Sequence, residues 1–169
     1  IVRGFFVAIF SKSYEDVLVL EVGADKPGDI GRIAKLISAN VVIITAVPEV
    51  PVHVEFYPDA EAVLKEKSKL ITALKEGGVL ITGTDERVMT LENERGGTLR
   101  SEVGEANIAY ENAQPVGMKF KFKGEDVMLN GVLGAQQCYA PAFALHVAGV
   151  FEVSLQDAIT ALKERTPTA

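Results

Sequence analysis

The sequence predicts an α/β protein in which a parallel sheet with flanking helices is followed by a smaller antiparallel β region. Two observations predict this class. In the first half of the chain, short segments that are apolar throughout alternate with helical patterns, as is typical of the buried strands of a parallel sheet. Further on, apolar and polar residues alternate in segments separated by turn residues, as is typical of antiparallel strands with one exposed face.

Residues 1–86 are predicted to form the parallel part. Its strands are expected at Val17–Val22, Val41–Thr45 and Val79–Thr82. A first helix should begin at Pro27-Gly28-Asp29, because apolar residues recur at helical spacing after it. A second, long helix is predicted at Asp59–Lys75, with Gly77-Gly78 as its stop signal.

Residues 87–133 are predicted to form the antiparallel part, and residues 134–169 the closing helices. The antiparallel strands are expected at Ile108–Tyr110, Met118–Phe122 and Val127–Leu129, with turns at Gln114-Pro115 and Gly124-Glu125-Asp126. The closing helices are expected at Tyr139–Ala148 and Leu155–Lys163. Ser154 should cap the second of them, with Asp157 completing an imperfect capping box.

The composition of the 169 residues excludes several classes of function. A net charge of −6 and the lack of a basic cluster disfavour nucleic acid as a partner. No apolar run approaches the roughly 18–20 residues that cross a bilayer, so no membrane insertion is expected. The single cysteine, Cys138, cannot form an internal disulfide, which agrees with a cytoplasmic protein. Because the chain begins at Ile1 without a methionine, we expect an internal fragment of a longer protein.

Two polar side chains are expected at the carboxyl ends of the first two strands, the edge where open α/β sheets bind ligands. Glu21 lies near the end of the first strand, and His53 follows the second in a loop stiffened by prolines. Glu21 thus lies where a ligand could bind, and a neutral imidazole at His53 could ligate a metal ion, with Glu55 orienting it. The alternatives are a carboxylate exposed at a strand end and a loop histidine hydrogen-bonded to the backbone.

Lys67 is expected on the apolar face of the long helix, four residues from both Val63 and Ile71. A buried ammonium must extend to solvent, pair with an acid or lose its proton. A neutral lysine amine is a nucleophile that can take up carbon dioxide as a carbamate. A lysine that merely reaches the solvent is the alternative.

Common catalytic motifs are absent from the sequence. The chain has no GxxxxGK[ST] loop for a nucleotide triphosphate, and no GxSxG, HExxH or CxxC motif. Taken alone, it should not bind a nucleotide triphosphate tightly.

Several segments nevertheless resemble the central domain of the Mur ligase family, most of all the MurF type. They are the glutamate-glycine segment Val19–Ile30, the histidine loop Val50–Phe56, the modified-lysine helix Glu66–Ile71, the turn Gly83–Glu86 and the adenine segment Leu133–Ala140. The resemblance implies a partial sheet of the P-loop (Rossmann-like) type. It covers nearly the whole chain, but the phosphate-binding loop and the C-terminal domain of such ligases are not within it.

The resemblance also implies a function. Such enzymes are ATP-dependent amide ligases of peptidoglycan precursor synthesis, with ATP and Mg²⁺ as cofactors. The MurF type adds D-Ala-D-Ala to a UDP-MurNAc-peptide through an acyl phosphate. Glu21 and His53 would then hold magnesium, Lys67 would be the carbamylated lysine, and Gln137 would contact adenine. The isolated chain is expected to fold but to be inactive, and its oligomeric state is left open.

The sequence departs from the family at positions that leave other functions open. Gly83 stands where an asparagine is expected, Gln136-Gln137 replaces a histidine-asparagine pair, and Ala140 replaces a second asparagine. These changes favour a degenerate Mur-ligase-like binding or scaffold module as one alternative. A related ligase, such as cyanophycin synthetase or folyl-polyglutamate synthetase (FPGS), is the other.

Overall fold

The computed structural model describes residues 16–50 and 55–164, which form two three-stranded sheets with helices packed against them. The elements are α1 (Asp29–Ala34), β1 (Ala39–Ile44), α2 (Ala60–Ser68), β2 (Leu74–Thr82), β3 (Gly97–Arg100), β4 (Ala106–Glu111), β5 (Gln114–Phe122), β6 (Glu125–Asn130), α3 (Tyr139–Val150) and α4 (Leu155–Glu164). Short 3₁₀ helices lie at Lys69–Ala73, Val88–Thr90 and Ala135–Cys138. The predicted α/β class, with one parallel and one antiparallel region, is confirmed.

The first sheet is parallel and has the strand order β1-β2-β3. Leu80 at its centre is fully buried, and Ile44 of β1 is only 3% exposed. The apolar face of α2, with Val63 and Leu64, covers this sheet and completes one of the two hydrophobic cores. The continuous apolar character of the central strands thus reflects burial on the sheet's faces.

The prediction of a first strand at Val17–Val22 is wrong for the part of the chain that the structure describes. The segment forms no ladder in the part of the chain that the structure describes, and β1 pairs only with β2 there. Its apolar side chains are exposed, Leu18 by 78% and Val19 by 84%. Apolar composition predicted burial, but burial requires a neighbouring element, and none of the described elements covers this segment.

The predicted long helix is also shorter than expected. Helix α2 ends at Ser68, a 3₁₀ turn follows, and β2 already begins at Leu74, so that Gly77-Gly78 lies inside the strand. Leu74 pairs with Ala39 of β1, and a bulge separates this pair from Val41↔Val79. The 3₁₀ turn buries Ala73 and half-buries Leu70 and Ile71, which satisfies the apolar pattern without a further α-helical turn.

The antiparallel sheet has the order β4-β5-β6 and contains all three predicted strands. Its first turn lies at Asn112-Ala113, both with positive φ, so the predicted turn at Gln114-Pro115 is wrong and these residues begin β5. The second turn is at Lys123-Gly124. Because β3 pairs in parallel with β2, the antiparallel region begins at β4 rather than near Arg87.

The two closing helices are confirmed and pack on the antiparallel sheet. Its core contains Phe120 and Val127 from the sheet and Cys138 and Leu145 from the 3₁₀ turn and α3. Before α4, the Asp157 N–H donates to Ser154 Oγ at 3.1 Å, and Ser154 Oγ donates to Asp157 Oδ2 at 2.6 Å. Ser154 therefore caps the helix as predicted, and Asp157 completes the box only imperfectly, because its carboxylate accepts the Ser154 hydroxyl.

A buried histidine in this second core predicts a pH effect on stability. His146 of α3 is 7% exposed, and its ring meets Phe122 edge-on at a centroid distance of 4.9 Å. Burial, assisted by Lys123, lowers the pKa of His146 below its usual value of 6.5. The unfolded chain then binds the proton more readily than the folded one, so stability should fall as the pH falls below that value.

Urea unfolding at roughly pH 8 and pH 5.5 measures this effect, and His146→Leu should remove part of the difference between the two midpoints. The matched control is His53→Gln, since the chain has 2 histidines. An equal pH dependence in wild type and His146→Leu would contradict the assignment.

Candidate functional site

Lys67 lies at the carboxyl edge of the parallel sheet. Its Nζ donates a hydrogen bond of 2.9 Å to the carbonyl oxygen of Ala46, two residues beyond the end of β1. The side chain is half-buried, and burial lowers the pKa of its ammonium group. The amine therefore turns from the apolar face of α2 toward the edge where ligands bind in such sheets.

The sequence around α2 explains this placement. Asp59 caps the helix by accepting the Ala62 N–H at 2.8 Å, which fixes where the helix begins. Val63 and Leu64 then anchor its apolar face in the core. Lys67 is one helical turn after Val63, so it is directed along the same face to the rim of the sheet.

Glu66, the residue next to Lys67, is a part of this region that sequence reasoning missed. Its residue exposure is only 2%, although it is a carboxylate. Oε1 accepts the backbone N–H groups of Gly28 and Ile30 at 2.9 and 3.1 Å, and Oε2 accepts Lys69 Nζ at 2.5 Å. A signal existed, since Glu66 lies three residues after Val63 and hence near the buried face of the helix.

These donors keep Glu66 ionised. Burial alone would raise its pKa, but the hydrogen bonds from Lys69, Gly28 and Ile30 outweigh burial, and the pKa of Glu66 lies below its usual range. The negative charge of Glu66 also affects the hydroxyl group of Tyr57, which is buried. Burial raises the pKa of its hydroxyl, and the charges of Glu66, Asp29 and Asp25 raise it further.

Glu21 is exposed and lies on the unpaired segment before α1, so it does not follow a buried strand as predicted. His53 falls outside the described residues. The convergence of these two side chains therefore stays a prediction. Lys26, in the turn after Glu21, lies over the ring of Phe56 at 5.3 Å, and Phe56 is three residues after His53.

Backbone hydrogen bonds join the end of β2 to the ends of β1 and β3. The Gly83 N–H donates to Ile44 O at 3.2 Å, and the Ser101 N–H donates to Thr82 O at 2.7 Å. Asp85 accepts the N–H groups of Arg87 and Val88 and so begins the next 3₁₀ turn. The segment that resembles the family's Asn-x-Asp-Asp turn is therefore fixed by backbone hydrogen bonds.

The described side chains do not assemble a metal centre by themselves. Among residues 16–50 and 55–164, no group of three His, Cys, Asp or Glu side chains lies close enough to hold an ion. Glu21 supplies the oxygen chemistry that Mg²⁺ prefers. Lys67 would be a ligand only after its amine had become a carbamate, and His53 is not described.

Gln137 is exposed in the 3₁₀ turn before α3, and its N–H donates to Gly134 O at 3.0 Å. Beside this turn, Gly134 and Ala135 border an open hollow of about 480 Å³ that Tyr110 and Asn107 of β4 also line. The Gln137 side chain is not part of that lining. The geometry therefore leaves the adenine role of Gln137 as a prediction.

The comparison that identifies the family covers most of the chain. The model of the Mur ligase middle domain matches residues 5–154. The chain belongs to the Mur ligase middle-domain family. No curated protein matches it in sequence. Within the described part of the chain, none of the helices has the length and apolar character needed to cross a membrane.

Solved structures share the middle-domain fold. MurF from Acinetobacter baumannii superposes with a TM-score of 0.73 at 18% identity, covering 89% of this chain and 34% of that one. MurF from Thermotoga maritima in complex with ADP gives 0.72 at 22% identity, covering 96% and 39%. The apo form of L. casei FPGS gives 0.67 at 20% identity, covering 98% and 42%. The chain therefore spans less than half of each of these proteins.

Proposed function

We propose that the chain is the central domain of an ATP-dependent amide ligase of the MurF type, which adds D-Ala-D-Ala to a UDP-MurNAc-peptide in the cytoplasm. The observation that supports this most directly is Lys67, whose half-buried amine lies at the carboxyl edge of a parallel sheet in a Mur ligase middle domain. The proposed substrates follow from the MurF resemblance of the glutamate-glycine segment.

The environment of Lys67 favours a carbamate. Carbamate formation requires the neutral amine, which attacks carbon dioxide, forms the N–C bond and releases a proton to solvent. Burial lowers the pKa of Lys67 and so raises the fraction of neutral amine at a given pH. The carbamate N–H could still donate to the carbonyl of Ala46, and its anionic oxygens would lie at the edge where ATP is proposed to bind.

The remaining roles involve groups bound from outside the chain. Glu21 and His53 would hold Mg²⁺, which when bound neutralises the phosphate charge as an acyl phosphate forms. The bound ADP of the Thermotoga maritima MurF supports a nucleotide at this domain. Gln137 would contact adenine from the turn before α3.

Two alternatives have observations in their favour. The likeness to FPGS, with a TM-score of 0.67, supports a ligase that uses a different acid and amino acid. The replacement of the expected histidine and asparagines by Gln136-Gln137 and Ala140 supports a scaffold that has lost nucleotide turnover. In both cases the fold would be the one seen here.

Phosphate release by the full-length protein tests the proposal. With ATP, Mg²⁺ and UDP-MurNAc-tripeptide, addition of D-Ala-D-Ala should stimulate release at least about tenfold, whereas glutamate with a folate acceptor should not. The reverse preference would favour the FPGS alternative, and no ATP turnover with any acceptor would favour the scaffold. Residues 1–169 alone should show no turnover above background, because the phosphate-binding motif is absent from this sequence.

A further inference from the structure

The buried carboxylate of Glu66 joins two parts of the candidate site. It is 2% exposed, and Oε1 receives the N–H groups of both Gly28 and Ile30. These donors are 38 and 36 residues away in the sequence, so the contact is tertiary rather than a local helical one. The turn before α1 is thereby attached to the residue that precedes Lys67.

Glu66 and Lys67 are adjacent in α2 but contact different segments of the chain. Glu66 is directed toward the turn before α1, whereas Lys67 reaches Ala46 beyond β1. Successive residues of an α-helix point about 100° apart, which allows one turn of α2 to contact both segments. Any displacement of that turn of helix would move the two contacts together.

The segment with Glu21 leads directly into this attached turn. Among the described residues, Val17–Ala24 pairs with no strand, and the contacts of Gly28 and Ile30 with Glu66 hold the turn that follows it along the chain. Lys69 balances the charge of Glu66 through a 2.5 Å ion pair. Lys26, in the same turn, lies over Phe56 at 5.3 Å. The turn is thus held between α2 and Phe56.

We infer that Glu66 is a positioning residue, which holds the turn Lys26–Ile30 against α2 and so sets the place of the Glu21 segment relative to Lys67. The inference rests on the proposed function in that Glu21 and Lys67 serve one site. Because Glu66 is only 2% exposed, it would act through these contacts and not by touching a substrate. Its Oε1 accepts both backbone N–H groups, and its Oε2 accepts Lys69 Nζ, which helps to keep the carboxylate charged.

The test compares four variants of the full-length protein by hydrogen exchange and by Mg²⁺ dependence. Glu66→Ala removes the acceptors, Glu66→Gln keeps one oxygen for the backbone, and Lys69→Met removes only the ion pair. Glu61→Gln, at an exposed position of the same helix, is the control. In Glu66→Ala, amides of residues 26–34 should exchange at least about tenfold faster, while those of β1 and β2 stay protected. Glu66→Gln and Lys69→Met should show smaller increases.

The second measurement is the Mg²⁺ concentration for half-maximal rate. Glu66→Ala should raise it about tenfold, with Glu66→Gln intermediate and Glu61→Gln unchanged. Unchanged exchange in residues 26–34, or faster exchange without any change in Mg²⁺ requirement, would overturn the positioning role. If wild type showed no ATP-dependent reaction, the proposed function would fail, while exchange would still decide whether Glu66 holds the turn.

Discussion

Replacing Lys67 by alanine in the full-length protein should lower the rate of the ATP-dependent reaction by at least about 100-fold, the usual effect of removing one preorganised electrostatic group. The physical reason is its location, because the amine lies 2.9 Å from Ala46 O at the carboxyl edge of the sheet. An anionic carbamate there would support a bound Mg²⁺ and so help to position the reacting phosphate, and alanine cannot form one. Phosphate release under saturating ATP measures the effect.

Chemical rescue separates this role from a structural one. Bicarbonate should not restore the Lys67→Ala variant, whereas a short carboxylate such as formate or acetate should restore part of its rate by replacing the missing anion. Lys65→Ala is the matched control, since Lys65 is exposed two residues away on the same helix. Normal turnover in Lys67→Ala would show that Lys67 has no catalytic role and that its side chain only extends toward solvent.

Much of the fold could be predicted from local patterns. The strand at Val41–Thr45 became β1, displaced by one or two residues. The closing helices were found because their apolar residues are contiguous in sequence and, for α4, because Ser154 precedes the helix as a cap. The position of Lys67 followed from its spacing to Val63, which the turn of α2 preserves. In each case the determining residues lie within one helical turn or one strand.

The errors have a common physical origin. Val17–Val22 has the composition of a buried strand, but a strand exists only with a partner. None of the described strands pairs with this segment, and pairing is not encoded within it. The long helix was predicted to reach Lys75, yet Leu74 begins β2 and pairs there with Ala39 of β1. Such long-range pairing overrides the local helical pattern.

Glu66 shows why the candidate site was only partly predictable. Its spacing placed it near the apolar face of α2, but its role depends on backbone donors more than thirty positions earlier. A single sequence does not reveal which distant N–H groups will lack partners. His53 is the reverse case, because the sequence singles it out while its contacts lie outside the described residues.

The second large effect is expected at Gly83, directly after β2. A Cβ atom built there would lie 2.2 Å from Thr45 O and 3.3 Å from Thr45 C, far inside normal contact. The backbone has little freedom to move away, because the Gly83 N–H donates to Ile44 O at 3.2 Å. Gly83→Ala should therefore lower the free energy of unfolding by about 1–3 kcal/mol.

Gly97→Ala is the control for this substitution. Gly97 lies at the start of β3 in the same sheet, and the nearest atom to its built Cβ is Val79 Cγ2 at 4.0 Å. Its effect should stay within about 0.5 kcal/mol, since alanine also restricts the unfolded chain. Urea unfolding of the two variants side by side makes the comparison, and equal midpoints would show that the edge near Gly83 adapts freely.

The same contact links stability to the candidate site. Thr45 precedes Ala46, the residue whose carbonyl accepts the Lys67 hydrogen bond, so relief of the clash by moving Thr45 would also displace that acceptor. Gly83→Ala should then lower ATP turnover in the folded fraction, whereas Gly97→Ala should not. An asparagine, the residue expected here from the family resemblance, would bring the same Cβ. In this backbone, position 83 requires glycine for steric reasons, because the end of β2 closely approaches the residue that follows β1. Replacing Gly83 by asparagine should therefore destabilise the chain as alanine does.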